Sequence, residues 1–192
     1  ISMENLNLIC VGNAIVDVIA DVKDEFLIEN NLKKGSMTIT SNEVFNNLFS
    51  KINNYSIKSG GSAANTAVGF SSFGGKSLFI GRTGKDDFGK AFSNDLQKSK
   101  VEFYNDEIIS LNSETSKCLI LVSDDGERTM CTNLDASNFL LFKNFDYSIL
   151  KKDDFFYIEG YLFDLDETKN SIIELCKHAK DRNLNLCLSL SE

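Results

Sequence analysis

The chain reads as an α/β domain: a largely parallel sheet with flanking helices, plus a second, small antiparallel sheet. Three observations predict this. Short buried runs at 6–11, 77–80, 155–158 and 185–189 alternate with amphipathic helical stretches, the order that parallel strands require. Asp124-Asp125-Gly126 separates Lys117–Val122 from Arg128–Thr132, and Asp-Gly between two apolar runs is a hairpin signal. The strands within 16–40 and 101–132 break the strand–helix alternation, which assigns them to the inserted antiparallel sheet.

Each element follows from local pattern. Leu6–Val11 is continuously apolar, whereas Val16, Val18 and Ala20 alternate with polar or variable residues in a second strand. Ser36–Thr40 is a further short strand. Thr40-Ser41-Asn42-Glu43 has the form of a capping box, and Val44, Phe45, Leu48, Phe49 and Ile52 give the helix behind it one apolar face. Helices are predicted at Ala63–Phe73, at Asp87–Lys98 with Phe88, Ala91, Phe92 and Leu96 on one side, and at Glu167–Arg182 with Ile172, Leu175, Cys176 and Ala179 in one stripe. A doubly wound sheet closing on Asn185–Ser189 is expected to leave that strand's edge and an apolar face uncovered.

Composition narrows the function classes. At 192 residues, the chain suffices for one domain that buries roughly 70% of its extended surface. Its 42% apolar and 25% charged residues suit a soluble globular protein. A net charge of −8 without a basic stripe argues against nucleic-acid and membrane partners. The apolar stretch 6–22 is broken by Asn13, Asp17 and Asp21 and has no basic flank, so it is read as neither signal peptide nor membrane span. Ile1 and Ser2 precede the first methionine and are read as lying outside the fold. The five cysteines form no C-x-x-C pair and read as small buried hydrophobes of a reducing, cytoplasmic protein. A two-residue turn at Asp125-Gly126 would set Cys131 opposite Ile120 and Cys118 opposite Asn133, out of register for a disulfide. Proline is absent, which with abundant Asn, Lys, Ile and Phe reads as genome base composition.

The candidate chemistry concentrates early in the chain. Gly60-Gly61 opens into the helical pattern Ser62-Ala63-Ala64-Asn65-Thr66-Ala67, a place where bare backbone can meet a polar ligand and where unpaired helical N–H groups favour hydroxyls or anions. A tight turn with a closely packed helix explains the same glycines. Gly81-Arg82-Thr83-Gly84-Lys85-Asp86 is no P-loop: its glycines are too close, and Asp stands where a magnesium site needs Ser or Thr. Val11-Gly12-Asn13-Ala14 lacks the glycine spacing of a dinucleotide fingerprint. His178, the one histidine, reads as solvated beside Lys177 and Lys180, and no metal site is expected. Asp124-Asp125 and Asp153-Asp154 read as solvated turn or cap residues. Asp17 differs, because a lone carboxylate in an apolar strand needs partners. With Asn13 and Asn65 it forms a natural polyol-binding set, a carboxylate accepting from both members of a vicinal diol; the competing reading has Asp17 facing solvent on the inserted sheet.

The segment 60–84 resembles, position for position, the first signature of the ribokinase-like (PfkB) sugar and nucleoside kinases. It has Gly60-Gly61, Asn65 and Ala67, then Gly74 and Gly84. Gly12-Asn13-Ala14-Ile15-Val16-Asp17, Lys34-Gly35-Ser36-Met37-Thr38, Glu127-Arg128-Thr129-Met130 and Tyr157-Ile158-Glu159-Gly160-Tyr161 resemble its bacterial adenosine-kinase-like or fructokinase-like branch, in one order along essentially the whole chain. The resemblance implies a ribokinase-like, Rossmann-type three-layer core with a small antiparallel β lid inserted at about 14–40 and 101–133. It also implies ATP-dependent phosphorylation of a hydroxymethyl group on a sugar or nucleoside.

Carried across by match, Asp17 and Asn65 hold the acceptor's hydroxyls, Gly60 and Gly61 present backbone to them, and Asn13 lines the same pocket. Met37 matches an apolar wall of the pocket, or equally plain lid packing. Arg128 resembles the lid arginine that approaches the transferred phosphoryl group, and Glu159 stands where the ribokinase branch places an acid near the sugar. The family's catalytic base is an Asp in a G-x-G-D helix start, which this sequence lacks. That base, the ATP site and the magnesium-linked N-x-x-E belong to a later half expected beyond residue 192, so the chain alone is expected to be inactive. ATP and Mg2+ are expected of the whole protein, which the resemblance makes a monomer or a homodimer through the lid sheet. The alternative is a non-catalytic sugar- or nucleoside-binding module that kept only the acceptor pocket.

Overall fold

A computed structural model describes residues 7–106, 113–142 and 145–190. The chain runs β1 (Asn7–Val11), β2 (Ile15–Asp21), α1 (Asp24–Glu29), β3 (Met37–Ile39), α2 (Asn42–Phe49), β4 (Ser56–Gly60), α3 (Ser62–Ser72), β5 (Lys76–Gly81), α4 (Asp87–Lys98), β6 (Val101–Asn105), β7 (Ser116–Val122), β8 (Arg128–Asn133), β9 (Phe155–Glu159), α5 (Asp166–Asp181) and β10 (Asn185–Ser189). The strands form two five-stranded sheets, ordered β10-β9-β1-β5-β6 and β3-β8-β7-β2-β4.

Every pairing in the first sheet is parallel. Its strands carry apolar side chains on both faces, as a sheet covered on both sides must. Ile9, Val11, Ile80, Phe156 and Ile158 point one way, onto Ile172, Leu175 and Ala179 of α5 and onto Leu140, Phe142 and Leu150. Cys10 and Phe79 point the other way, onto Ala63, Ala64 and Ala67 of α3 and Phe92 and Leu96 of α4. Small residues on α3 let that helix lie close to the sheet, and the Phe79, Phe92 and Phe103 rings fill the space beside it at centroid separations of 5.4–5.8 Å. Leu186 and Leu188, on one face of the edge strand β10, remain exposed, in line with the expected uncovered apolar face.

The second sheet departs from the expected antiparallel one. It is mixed: β2 pairs β7 in parallel and β3 pairs β8 in parallel, while β2–β4 and β7–β8 are antiparallel. Its membership also differs from the segments 14–40 and 101–133. Val101–Asn105 belongs to the parallel sheet beside β5, and Ser56–Gly60 joins the second sheet as an edge. The reason is that Val101 and Phe103 pack into the core around Phe79; the pattern of five residues does not reveal which sheet they complete. One face of the second sheet is covered by α1 and α2 through Leu27, Phe45 and Leu48, packed on Val18, Ala20, Leu119, Leu121 and Cys131.

Smaller expectations shift too. The cap of α2 is Ser41, whose hydroxyl accepts from the Val44 N–H, while Thr40 joins Thr132 at the sheet. The hairpin spans three residues, because Ser123 still pairs with Glu127 and Gly126 adopts φ 82°. Cys118 therefore faces Thr132 and Cys131 faces Leu119, one position from the expected register. Adjacent registers project to opposite faces, so these thiols stay apart; all five cysteines are free. Burial pushes the Cys10 thiol up to about 12 and the Cys118 thiol up to about 11, which keeps both protonated. His178 is half-buried against the Tyr147 ring, 4.0 Å between centroids, and Asp154 is buried, capping the Lys151 N–H; neither is the solvated residue expected.

Phe92→Ala removes a ring that is fully buried among two others. It is expected to cost about 3–5 kcal/mol in denaturant unfolding, whereas Val44→Ala, on the expected apolar face but 47% exposed, should cost under about 1 kcal/mol.

Candidate functional site

The chain crosses between the sheets at two neighbouring points. Gly12-Asn13-Ala14 leads from β1 of the parallel sheet into β2 of the mixed one, and Gly61 leads from β4 into α3. These crossings touch without side-chain padding. Gly61 has φ 91°, and a Cβ there would run into the Asn13 carbonyl oxygen. Gly60 pairs with Ile15, and a Cβ on it would fall 2.5 Å from the Asp17 carboxylate. A Cβ on Gly12 would lie 2.6 Å from Glu159 Cδ and from Ala63 Cβ. The glycine doublet is thus both a tight turn and the surface on which Asn13 and Asp17 rest.

Asp17 projects from the middle of β2 on the sheet face opposite α1 and α2, between Lys58 on β4 and Cys118 on β7. It is half-buried, and no hydrogen bond or ion pair to it exists among the described residues. Burial alone pushes its carboxyl up to about 6, because the charged form loses water without gaining a partner. Asn65 lies in the first turn of α3, exposed, its N–H bonded to the Gly61 carbonyl at 2.9 Å. Asn13 is buried, and its backbone N–H donates to Glu159 Oε1 at 2.5 Å.

Glu159 ends β9 and is 1% exposed. Its Oε2 accepts from the Ser62 hydroxyl at 2.6 Å and from the Ala63 N–H at 3.1 Å. Burial raises its carboxyl, with the three hydrogen bonds pulling the other way. Three of its roughly four acceptor sites are filled, and at 1% exposure the remaining one is closed to a ligand hydroxyl.

The structure therefore brings Asn13, Asp17, Gly60, Gly61, Asn65 and Glu159 to one seam. Met37 and Arg128 share Asp17's face of the mixed sheet but stand off from it. Met37 is on β3, three strands from β2, or ~14 Å across the sheet. Arg128 opposes Val122, four residues along β7 from the row of Asp17, or ~13 Å along the strands. Both are exposed.

The rejected loop 81–86 has a structural use: the Thr83 N–H is held by Asn105, the Gly84 N–H by Thr115, and Asp86 caps α4 through the Gly89 N–H while accepting twice from Thr115. Sequence reasoning missed two contributors. Ser62 donates to Glu159, and Asp95 on α4 accepts from the N–H and hydroxyl of Ser59, at 3.1 and 2.5 Å, beside the glycine doublet. Asp95 reads as one more polar residue on a helix's outer face, and nothing in its spacing names a partner 36 positions away.

A three-layer parallel core with a mixed sheet set beside it and a polar seam between them is an α/β fold of the ribokinase-like class. The chain belongs to the pfkB family of carbohydrate kinases, whose model matches residues 5–192. It is 27% identical to adenosine kinase of Saccharomyces cerevisiae over 96% of this chain and 56% of that protein. It is 30% identical to probable fructokinase-6, chloroplastic, of Arabidopsis thaliana over 66% of this chain and 33% of that one. The crystal structure of adenosine kinase from Sinorhizobium meliloti superposes with a TM-score of 0.85 at 32% identity, over 97% of this chain and 57% of that one. The chain thus spans little more than half the length of the adenosine kinases it matches.

Two outcomes test the seam. Asp17 has a folded-state pKa of about 6 against an ordinary 3.8. Below pH 3.8 it is protonated whether folded or not and costs nothing. As pH rises toward 6, the folded state must release a proton it holds more tightly, so stability falls. Asp17→Asn is expected to raise stability above pH 6, with the difference closing below about pH 4 in urea titrations at several pH values. Gly61→Ala adds a clash to a positive φ, whereas Gly126→Ala meets only the φ penalty, since nothing lies within 4 Å of it. The Gly61 variant is expected to lose at least ~2 kcal/mol more than the Gly126 variant in the same unfolding assay.

Proposed function

We propose that the whole protein is an ATP-dependent phosphotransferase acting on a hydroxymethyl group of a sugar or nucleoside, and that residues 1–192 carry its acceptor-holding part. The observation that carries this reading is Asp17, an acid kept partly out of water with no partner of its own among the described residues, at the seam of a family whose members are kinases. An unpartnered carboxylate is a cost that a bound diol removes, since two hydroxyls donate to its two oxygens.

In this mechanism Asp17 and Asn65 orient the acceptor, the bare backbone of Gly60 and Gly61 lets it approach closely, and the mixed sheet forms a lid that excludes water. Met37 would supply an apolar wall on that lid. Arg128, at the lid's far end, would approach the moving phosphoryl group if the lid closes over the acceptor. A nucleoside acceptor is favoured over a ketose, because similarity to adenosine kinase extends over 96% of the chain and similarity to the fructokinase over 66%.

In this reading ATP and Mg2+ are held mostly outside these residues. The glycine-rich loop 81–86 has its N–H groups of Thr83 and Gly84 committed to Asn105 and Thr115, and no cluster of three metal-ligating side chains exists among the described residues. In this reading residues 1–192 hold the acceptor and bring Arg128 toward the phosphoryl group, so they should bind the acceptor by themselves without turning it over. The same observation favours a second reading, a sugar- or nucleoside-binding module without catalysis.

Phosphoryl transfer from ATP to adenosine and to D-fructose, measured on the full-length protein and on residues 1–192, decides between them. Transfer by the full-length protein alone is expected; none by either would leave the binding module, and turnover by residues 1–192 would overturn the division of labour. Asp17→Ala and Asn65→Ala should each lower kcat/KM for the acceptor about 10- to 100-fold while leaving the KM for ATP unchanged.

A further inference from the structure

Glu159 makes the most hydrogen bonds of any side chain at the seam, yet an acceptor cannot reach it. We propose that Glu159 is the positioning residue of the acceptor site: its carboxylate locks the Gly12–Asn13 turn to the first turn of α3, and the acceptor meets what those two segments present rather than Glu159 itself. This rests on the acceptor-site reading above.

A helix leaves its first N–H groups without internal partners, and a Ser, Thr, Asp or Asn at the cap normally supplies one. At the start of α3 the cap is Gly61, which has no side chain to offer. It must be glycine, because its φ is 91° and the Asn13 carbonyl occupies the position of a Cβ. The missing cap is delivered from another strand: Glu159 Oε2 accepts from the Ala63 N–H and the Ser62 hydroxyl, bringing its charge to the positive end of the helix.

The second oxygen does equivalent work on the other crossing. Oε1 accepts from the Asn13 N–H, 146 residues away in sequence, at 2.5 Å. One carboxylate thereby joins the end of β9, the β1–β2 turn and the start of α3. Gly12 is part of the same device, since a Cβ there would displace the carboxylate it lies against. At 1% exposure, no face of Glu159 is left for a ligand atom. Asn13 and Asn65 belong to the two segments so joined, which makes the spacing between them dependent on Glu159.

Positioning and direct binding predict different losses. The test uses Glu159→Gln and Ser62→Ala in the full-length protein, read by amide hydrogen exchange and by calorimetric binding of adenosine, 2′-deoxyadenosine, 3′-deoxyadenosine and D-fructose. Glu159→Gln should speed exchange at Asn13 and Ala63 at least about tenfold with α4 unchanged. It should weaken whichever acceptors the wild type binds by one common factor, about tenfold. Ser62→Ala, which removes one donor and keeps the carboxylate, should give a smaller shift of the same kind even if the glutamine variant fails to fold. Unchanged exchange at Asn13 and Ala63 in both variants would overturn the lock. So would a loss that vanishes for one deoxy analogue, because Glu159 would then be touching that hydroxyl. If the wild type binds none of the four probes, the acceptor reading fails by itself, and the exchange rates still decide whether Glu159 holds the two segments together.

Discussion

Everything at the seam depends on backbone approaching polar groups more closely than any Cβ permits. At positions 12, 60 and 61 the space a side chain would need is already taken by the Glu159 carboxylate, the Asp17 carboxylate and the Asn13 carbonyl. Those contacts set how the mixed sheet leaves the parallel one, because the chain crosses between them at these glycines. The motif's function and the fold's geometry are therefore one constraint. The same glycines let the β1–β2 crossing and the start of α3 lie in contact, with no side chain between them.

Two carboxylates at this seam illustrate opposite solutions to burial. Glu159 is the more enclosed, and three donors offset part of the desolvation that raises its carboxyl. Asp17 is less enclosed and, among the described residues, has none; only desolvation acts on it. A fold selected for stability alone has no reason to keep an acid in that state, since a neutral side chain of the same shape fits better. The contrast is the ground on which the proposals above give the two acids different tasks.

What the sequence reveals follows the range of the interactions involved. Asp87–Lys98 is read to the residue, because a capping Asp86 and a 3.6-residue apolar stripe both lie within the helix. Asn185–Ser189 is equally local. The hairpin is legible but its register slips by one, because whether Gly126 ends a two- or three-residue turn is settled by the Ser123–Glu127 pair rather than by the Asp-Gly signal. Asp24–Glu29 escapes notice, being six residues long with no repeated apolar period. Val101–Asn105 is seen as a strand and given to the wrong sheet, since its neighbour β5 is chosen by helix α4 folding back between them. At the site, residue types identify Asp17 and the glycines, but not what Glu159 faces, because its donors lie 96 to 146 positions away.

Helix α4 ties one end of the mixed sheet to the parallel core. Its Phe92 and Leu96 sit in the parallel core, its Asp95 holds Ser59 beside the glycine doublet, and its Phe88 packs on Phe49 and lies under the ammonium of the buried Lys117. The β4 end of the mixed sheet, where Asp17 lies, is thus anchored to the core by buried contacts. At the hairpin end, beside the buried packing of Cys131 on Phe45 and Leu48, Lys34 bridges Asp24 and Asp125 through side chains that are one-third to three-fifths exposed. Exposed ion pairs contribute little and weaken with salt, whereas buried aromatic packing does neither. The β4 edge is thus fixed to the parallel core by packing that salt leaves alone, while the hairpin's cross-link to α1 is one that salt loosens.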